Sequence, residues 1–320
     1  MATPRLFFHP QRPDVPEVST IAALWETWGA ATDRAPQAPC GGRNAMAALA
    51  RLRDLAIKAL VRWQWASLRA TSPRLAVVPH EHVGLAVLTT GLYEREELDC
   101  LRALVQARGL GGGVCLDIGA NIGNHAVIWS QLFEQVVCFE PNPQMGAVLR
   151  ANLALNLCGN VRVVDVGLGT QDAQLPFSFQ EAGNDGTGTF ARGIGDITLP
   201  VRRGDDAIDE LGLTLPITLV KCDVEGFEHL VFEGLSGMLS RHRPVVIFES
   251  NAIEAGNAAW SSLRRSGYDR LYEIRHSAAA LPQPLREIVR LATGHRCSIE
   301  RIDAVPPHPA NLITATVALD

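Results

Sequence analysis

The sequence predicts an α/β fold: a doubly wound, Rossmann-like, mostly parallel sheet with an antiparallel edge strand, preceded by an N-terminal helical extension. Three observations predict it. Residues 114–140 read as strand, glycine turn, helix, strand, with an acid, Asp117 or Glu140, at each strand tip. Apolar runs then alternate with helical patterns towards the C-terminus, which implies parallel strands joined by crossover helices. Two late runs, 270–274 and 312–319, lack a full crossover helix, and this places an antiparallel strand at the edge.

Taken in order, residues 1–43 are rich in Pro, Ala and Gly with one short helical possibility at 21–28, and an arm is expected. Residues 44–69 are helical, with Leu49, Leu52, Ala56, Leu60 and Trp63 on one face and Arg51, Asp54, Lys58 and Arg62 on another. This reads as a packing helix with a solvated face. A membrane-surface role, suggested by Trp63 and Trp65, is the weaker reading because Asp54 interrupts the basic stripe. The expected division is therefore an extension over 1–72 and a main domain over 73–320, with its core at 112–252.

In the approach segment, 74–105, His80 and His82 flank Glu81 without a third ligand at any recognisable spacing, so surface histidines and no metal site are expected. A helix ends near Arg108 and a glycine run leads into the first strand. Beyond Glu140, Met145, Val148, Leu149 and Leu153 mark a helix. Strands are expected at 161–167, 217–224 and 244–249, with helices at 227–239 and up to Ser266. The glycine-rich stretch 181–196 reads equally as a substrate loop or an ordinary connection.

Twenty-nine basic against thirty-four acidic residues in 320 give a net charge of −5, which argues against nonspecific nucleic-acid binding. The seven cysteines form no C-x-x-C pair and no zinc spacing. The N-terminus lacks a signal-like apolar stretch and no 18-residue uncharged run occurs, so a cytoplasmic setting without a membrane span is the expectation.

The chemistry concentrates at the strand tips. Gly119 permits a sharp turn, and Gly123 lets a helix N-terminus approach an anion. Glu140 follows Asp117 by 23 residues, close to the interval of about 20 at which an acid meets ribose hydroxyls. Dinucleotide sites need a middle glycine to admit pyrophosphate, yet here the turn spells Asp117-Ile118-Gly119-Ala120-Asn121-Ile122-Gly123. Ala120 and Asn121 would crowd that group. The smaller carboxylate of a methionine-type tail fits better and points to S-adenosylmethionine, with a nicotinamide-linked oxidoreductase as the disfavoured alternative.

Lys221, Asp223 and Glu225 break an otherwise apolar strand, and alternation would align them on one face. Charged groups at a buried strand end are paired or functional. The plain reading is a structural ion pair. The functional reading makes Asp223 and Glu225 the candidates for taking a proton from a methylated hydroxyl, with Lys221 fixing a carboxylate or acting as base if burial lowers its pKa. His229 reads as a helix-surface residue.

G-L-Y-E at 91–94, L-D-I-G-A-N-I-G at 116–123, F-E-P-N-P at 139–143, the pair Asn152 and Asn156, K-C-D-V-E-G-F-E at 221–228 and R-P-V-V-I-F-E at 243–249 together resemble the FkbM-type methyltransferases across residues 73–320. The resemblance implies a class I methyltransferase fold with a seven-stranded sheet, S-adenosylmethionine as donor, and O-methylation of a sugar, glycan or polyketide-like hydroxyl. It also implies that Asp117, Gly119, Asn121 and Gly123 line the methionine end of the donor, Glu140 its ribose and Asn142 its adenine side, while Asp223 and Glu225 face the reaction centre. Gly167-Leu168-Gly169-Thr170 departs from the family pattern, and residues 1–72 have no counterpart in it. A donor-binding module without catalysis is a further alternative, against which Asp223 and Glu225 weigh. Metal dependence stays open, because carboxylates alone do not define a cation site, and nothing in the sequence specifies an oligomeric state.

Overall fold

The computed structural model describes residues 43–78, 81–181, 184–195, 197–276 and 297–319. The expected arm, with its helical possibility at 21–28, lies outside these residues, as does His80. Two compact units divide the chain, residues 1–59 and 60–320. Helix α1 (Arg43–Leu68) matches the helix expected at 44–69, and α2 (His82–Thr90) and α3 (Arg95–Ala107) follow it.

Next come β1 (Val114–Ile118), α4 (Asn124–Trp129), β2 (Gln135–Phe139), α5 (Pro143–Leu155) and β3 (Val161–Val164). After an insertion described below, the main sheet resumes with β8 (Ile217–Cys222), α7 (Glu228–Gly234), α8 (Ser236–His242), β9 (Val245–Ser250), α9 (Ile253–Arg265), β10 (Arg270–His276), β11 (Cys297–Ile302) and β12 (Ala310–Ala315). The helix expected at 227–239 is thus two helices, and the fourth strand stops at Cys222 rather than at 224.

The main sheet has eight strands in the order β11-β10-β12-β9-β8-β1-β2-β3. β9, β8, β1, β2 and β3 pair in parallel. The expected seven strands are corrected to eight, and the antiparallel strand is not simply an edge. β12 lies between β9 and β10, antiparallel to both, and the additional strand β11 forms the edge by pairing antiparallel with β10. The chain winds outward from β1 to β3 and then returns to the other flank of β1 as β8, so the winding direction reverses at the β1/β8 boundary. Ligands in open α/β sheets bind at such a reversal, beyond the carboxyl ends of the strands.

β1 shows why the sheet is covered on both sides. All five of its residues are buried. Val114, Leu116 and Ile118 pack in one core with Val220, Phe232, Met238 and Leu263, whereas Cys115 packs in the other with Leu98, Leu101, Val127 and Leu149. Side chains two apart face one side of a strand, so a strand apolar at every position needs helices on both faces. Here α7, α8 and α9 supply one layer and α3, α4 and α5 the other. Asp117 is the exception to the apolar run, and its charge requires a partner.

The insertion is a second sheet. β4 (Gly167–Gly169), β5 (Ala173–Glu181), β6 (Asn184–Thr189) and β7 (Ile197–Arg203) form a four-stranded sheet in the order β4-β7-β5-β6, followed by α6 (Gly204–Glu210). The strand expected at 161–167 is therefore split between two sheets, and part of the glycine-rich stretch is a strand rather than a loop. Among the described residues no helix is long and apolar enough to cross a membrane.

Candidate active site

Two clefts open at the carboxyl ends of β1 and β8. The first, about 650 Å³ with its mouth, runs from Gly119, Asn121 and Glu140 to a wall from the second sheet that includes Leu168, Phe177 and Phe190. The second, about 540 Å³, is lined by His82, Tyr93, His125, Lys221 and Glu249 among others. Gly119, Asn121, Asp223 and Glu225 line both.

The turn after β1 is held by backbone geometry. Gly119 has φ +76°, and a Cβ placed there would lie 1.9 Å from the carbonyl oxygen of Asp223. Only glycine lets the two strand tips approach so closely. At Gly123, φ +83°, a Cβ would strike Leu149 Cδ1 at 2.4 Å. This glycine brings α4 against α5 and does not line either cleft.

Glu140 is buried at the tip of β2, and each of its oxygens accepts a backbone N–H: Oε2 from Asn121 and Oε1 from Asn142, both at 2.8 Å. Burial raises its pKa to about 7, against the pull of those two donors. The side chain of Asn142 caps α5 by accepting from the Gln144 N–H at 3.0 Å and does not line either cleft, so its link to the site runs through the N–H that holds Glu140.

Asp117 also lies beneath the clefts rather than in their walls. Its side chain has no exposed surface, and Lys221 Nζ stands 3.6 Å from its Oδ1 and 3.2 Å from Asp223 Oδ2. The same ammonium donates to the Gly119 carbonyl at 3.1 Å. Burial opposes the Lys221 charge, but Asp223, Asp117 and Glu94 outweigh it and the pKa rises. The condition under which Lys221 would serve as base, a lowered pKa, is not met. Burial likewise raises the pKa of Asp117 despite the nearby cations.

Asp223 and Glu225 come together with Lys221, but not by strand alternation, because β8 has already ended. They stand on a turn that Glu228 fastens by accepting the Val224 and Gly226 N–H groups at 3.0 and 3.2 Å. Glu225 adopts a left-handed backbone, φ +56°. Its carbonyl accepts from Thr189 Oγ1 at 2.8 Å, tying the turn to the second sheet. Asn121 and Glu94, also beside the clefts, share this conformation at φ +51° and +53°. Non-glycine residues held this way cluster where geometry serves function.

Sequence reasoning missed Glu249, at the end of β9. An oxygen from each of Asp223, Glu225 and Glu249 can lie within 4.8 Å of the others, a spacing able to hold a cation. Asn251 Nδ2 bridges two of them, donating to Glu225 at 2.9 Å and Glu249 at 2.8 Å. Burial, then the charges of Asp223 and Glu225, push the Glu249 pKa up. Burial pushes Asp223 the same way, but Lys221 and a hydrogen bond from Glu249 prevail and hold it below the usual carboxylate range. The two carboxyls are thus pushed in opposite directions, Glu249 up and Asp223 down. The strand-tip pattern of Asp117 and Glu140, an apolar run ending in an acid, recurs in Val245–Glu249 and was the available signal.

Glu94 and His125 were missed as well. Nε2 of His125 lies 3.3 Å from Glu94 Oε2, and both line a small recess with Lys221, Asp223 and Glu249. The 91–94 motif is pinned to α4 by Asn124, which accepts from the Tyr93 N–H at 3.0 Å and donates to its carbonyl at 2.9 Å. The Asn152 and Asn156 pair is structural: each side chain bonds the backbone of the segment 74–76.

Residues 117–272 match the family model for the methyltransferase FkbM domain. The chain is 30% identical over 153 residues to the hexuronic acid methyltransferase AglP of Haloferax volcanii, a match covering 48% of this chain and 62% of that protein. It is also 30% identical over 149 residues to the 2-O-methyltransferase NoeI of Sinorhizobium fredii, covering 41% and 60% respectively. This chain therefore spans less than two thirds of these relatives' length. Among solved structures, the methyltransferase FkbM of Methylobacillus flagellatus superposes with a TM-score of 0.39 at 17% identity, over 64% of this chain and 44% of that one. The strand-tip motifs of this sheet thus fall inside a segment that matches the FkbM methyltransferase domain and is similar to these methyltransferases.

Proposed function

We propose that the protein is an S-adenosylmethionine-dependent O-methyltransferase acting on a hydroxyl of a sugar, glycan or polyketide-like natural product, with residues 73–320 as the methyltransferase domain. The observation that carries this reading is the meeting of two clefts at Gly119, Asn121, Asp223 and Glu225. One cleft suits a nucleoside. Phe177, Phe190 and Phe227, with centroids 5.1 and 5.6 Å apart in succession, offer an apolar face for adenine. Both oxygens of Glu140 are oriented by backbone donors, with lone pairs left for ribose hydroxyls. The glycine turn leaves room for a methionine tail but not for a pyrophosphate at Ala120 and Asn121.

The bound cofactor supplies an electrophilic methyl group on a cationic sulphur. Asp223, which keeps about a third of its side chain exposed, accepts the hydroxyl proton as the new O–C bond forms. Lys221 keeps that carboxylate ionised and anchors it to β1. Glu225 and Glu249, bridged by Asn251, receive further hydroxyls of the acceptor, an arrangement suited to a polyhydroxylated ring. The similarity to a hexuronic acid methyltransferase and a 2-O-methyltransferase supports a sugar over a polyketide.

Calorimetric titration with S-adenosylhomocysteine and with NAD tests the donor. Binding of the first alone supports the reading, and binding of NAD alone ends it. Transfer of labelled methyl from S-adenosylmethionine to a panel of glycosides then tests the acceptor. Donor binding without loss of transfer in Asp223→Asn would remove Asp223 from the base role.

A further inference from the structure

We propose that helix α1 is a docking surface for an anionic lipid bilayer. The helix exposes an unusual amount of apolar surface: Trp63 is 69% exposed, Leu49 65%, Leu60 64% and Leu52 63%. Half of the large apolar side chains exposed among the described residues lie on it, five of these eight on or beside one face and Ile57, Val61 and Trp65 elsewhere. At the 100° helical step, Leu52, Trp63, Ala56, Leu49 and Leu60 fall within an arc of roughly 80°, and Leu55 widens it on one side. Beyond Leu55 runs a narrow stripe of Arg51, Lys58, Arg62 and Arg69, all exposed. An apolar arc bordered by a basic stripe and carrying tryptophan is the pattern of a helix lying in a bilayer interface.

Asp54, which seemed to interrupt the stripe, does not. Its Oδ1 pairs with Arg53 Nη2 at 2.9 Å, on the far side of the stripe from the apolar arc. None of the four stripe residues forms an ion pair among the described residues, so their charges face solvent. Residues 49–69 carry five basic side chains and one acid in a chain whose net charge is −5. An anionic surface is thus attracted to this helix against the charge of the whole molecule.

The same stripe disfavours a second copy of the chain as the occupant. A second copy presents the same five basic side chains against one acid over residues 49–69, so two such helices repel where an anionic surface attracts. A bilayer of anionic headgroups instead neutralises the stripe while the interface takes up Trp63 and the leucines.

The test is co-sedimentation of the full chain with vesicles of phosphatidylcholine alone and of equal parts phosphatidylcholine and phosphatidylglycerol. The expected result is binding to the anionic vesicles, weakened by added salt and weakened about tenfold or more in Arg51→Glu/Lys58→Glu/Arg62→Glu. Leu60→Ala/Trp63→Ala should also bind about tenfold less. Glutamate keeps a high helix propensity at these exposed positions, and circular dichroism melting confirms that each variant folds. No sedimentation with either vesicle overturns the proposal, as does equal binding to both vesicle types or undiminished binding by the charge-reversed variant. A dimer in light scattering that Leu60→Ala/Trp63→Ala dissociates, without vesicle binding by the parent chain, assigns the surface to a second copy and overturns it too.

Discussion

The ammonium of Lys221 lies 3.6 Å from the carboxylate of Asp117, which has no exposed surface, and so joins the tips of β1 and β8 across the reversal point of the sheet. Replacing Lys221 by Met leaves a buried carboxylate without its counter-charge. Breaking such a pair from one side costs about 3–5 kcal/mol, and the loss should appear in urea unfolding. A loss under 1 kcal/mol would mean that the pair does not secure this junction.

Gly119→Ala tests the same junction from the backbone. The substitution places a methyl group 1.9 Å from the Asp223 carbonyl oxygen at a φ of +76°. Strain and overpacking together should lower stability by about 2–4 kcal/mol. Because both clefts include Gly119, S-adenosylhomocysteine affinity should fall at least tenfold as well, measured by calorimetry on the folded fraction. Unchanged affinity would separate the turn from the donor site.

The sequence makes the β1–β2 unit legible because Asp117 and Glu140 each end a run of buried apolar residues, and because glycines occupy positions with positive φ. The second sheet was hidden for the opposite reason. β6 reads N-D-G-T-G-T, with two glycines and no apolar side chain to mark a buried face, and it is fixed instead by pairing with β5. Asp223 and Glu225 were identified for a reason that does not hold, since the turn fastened by Glu228, not strand alternation, aims them. Gly123 and Asn142 also serve helix packing and capping, which their motifs alone do not reveal. Glu249 ends an apolar run as Asp117 and Glu140 do, whereas the Glu94–His125 pair depends on the spatial meeting of segments far apart in sequence, which no local pattern specifies.

Glu140 should make donor binding depend on pH. Its folded-state pKa lies near 7, raised by burial. Ribose hydroxyls need the ionised form as acceptor, so affinity for S-adenosylhomocysteine should be flat above about pH 7.5 and fall towards tenfold per pH unit below 7. The linkage to stability runs the opposite way. A raised carboxyl pKa contributes stability that is complete below the unfolded value of 4.5 and lost as pH rises through 7. Glu140→Gln should abolish both dependences, and calorimetry across this range decides the matter. A pH-independent affinity in the parent protein would remove Glu140 from the ribose contact.

The carboxyl pair Asp223 and Glu249 yields the sharpest distinction between a proton and a metal ion at the site. Lys221 already balances Asp223 at 3.2 Å, and burial with the neighbouring carboxylates pushes the Glu249 pKa up, favouring its protonated form. A divalent cation would have to ionise Glu249 and approach the Lys221 ammonium, so transfer should be insensitive to EDTA. Asp223→Asn should lower kcat by about 10²–10⁴, the range for loss of a general base. Glu249→Gln preserves a neutral donor to Asp223 and should cost less than about tenfold, whereas Glu249→Ala leaves a buried gap and an unassisted carboxylate and should cost more. Stimulation of EDTA-treated enzyme by magnesium, together with a severe loss in Glu249→Gln, would instead identify Asp223, Glu225 and Glu249 as cation ligands.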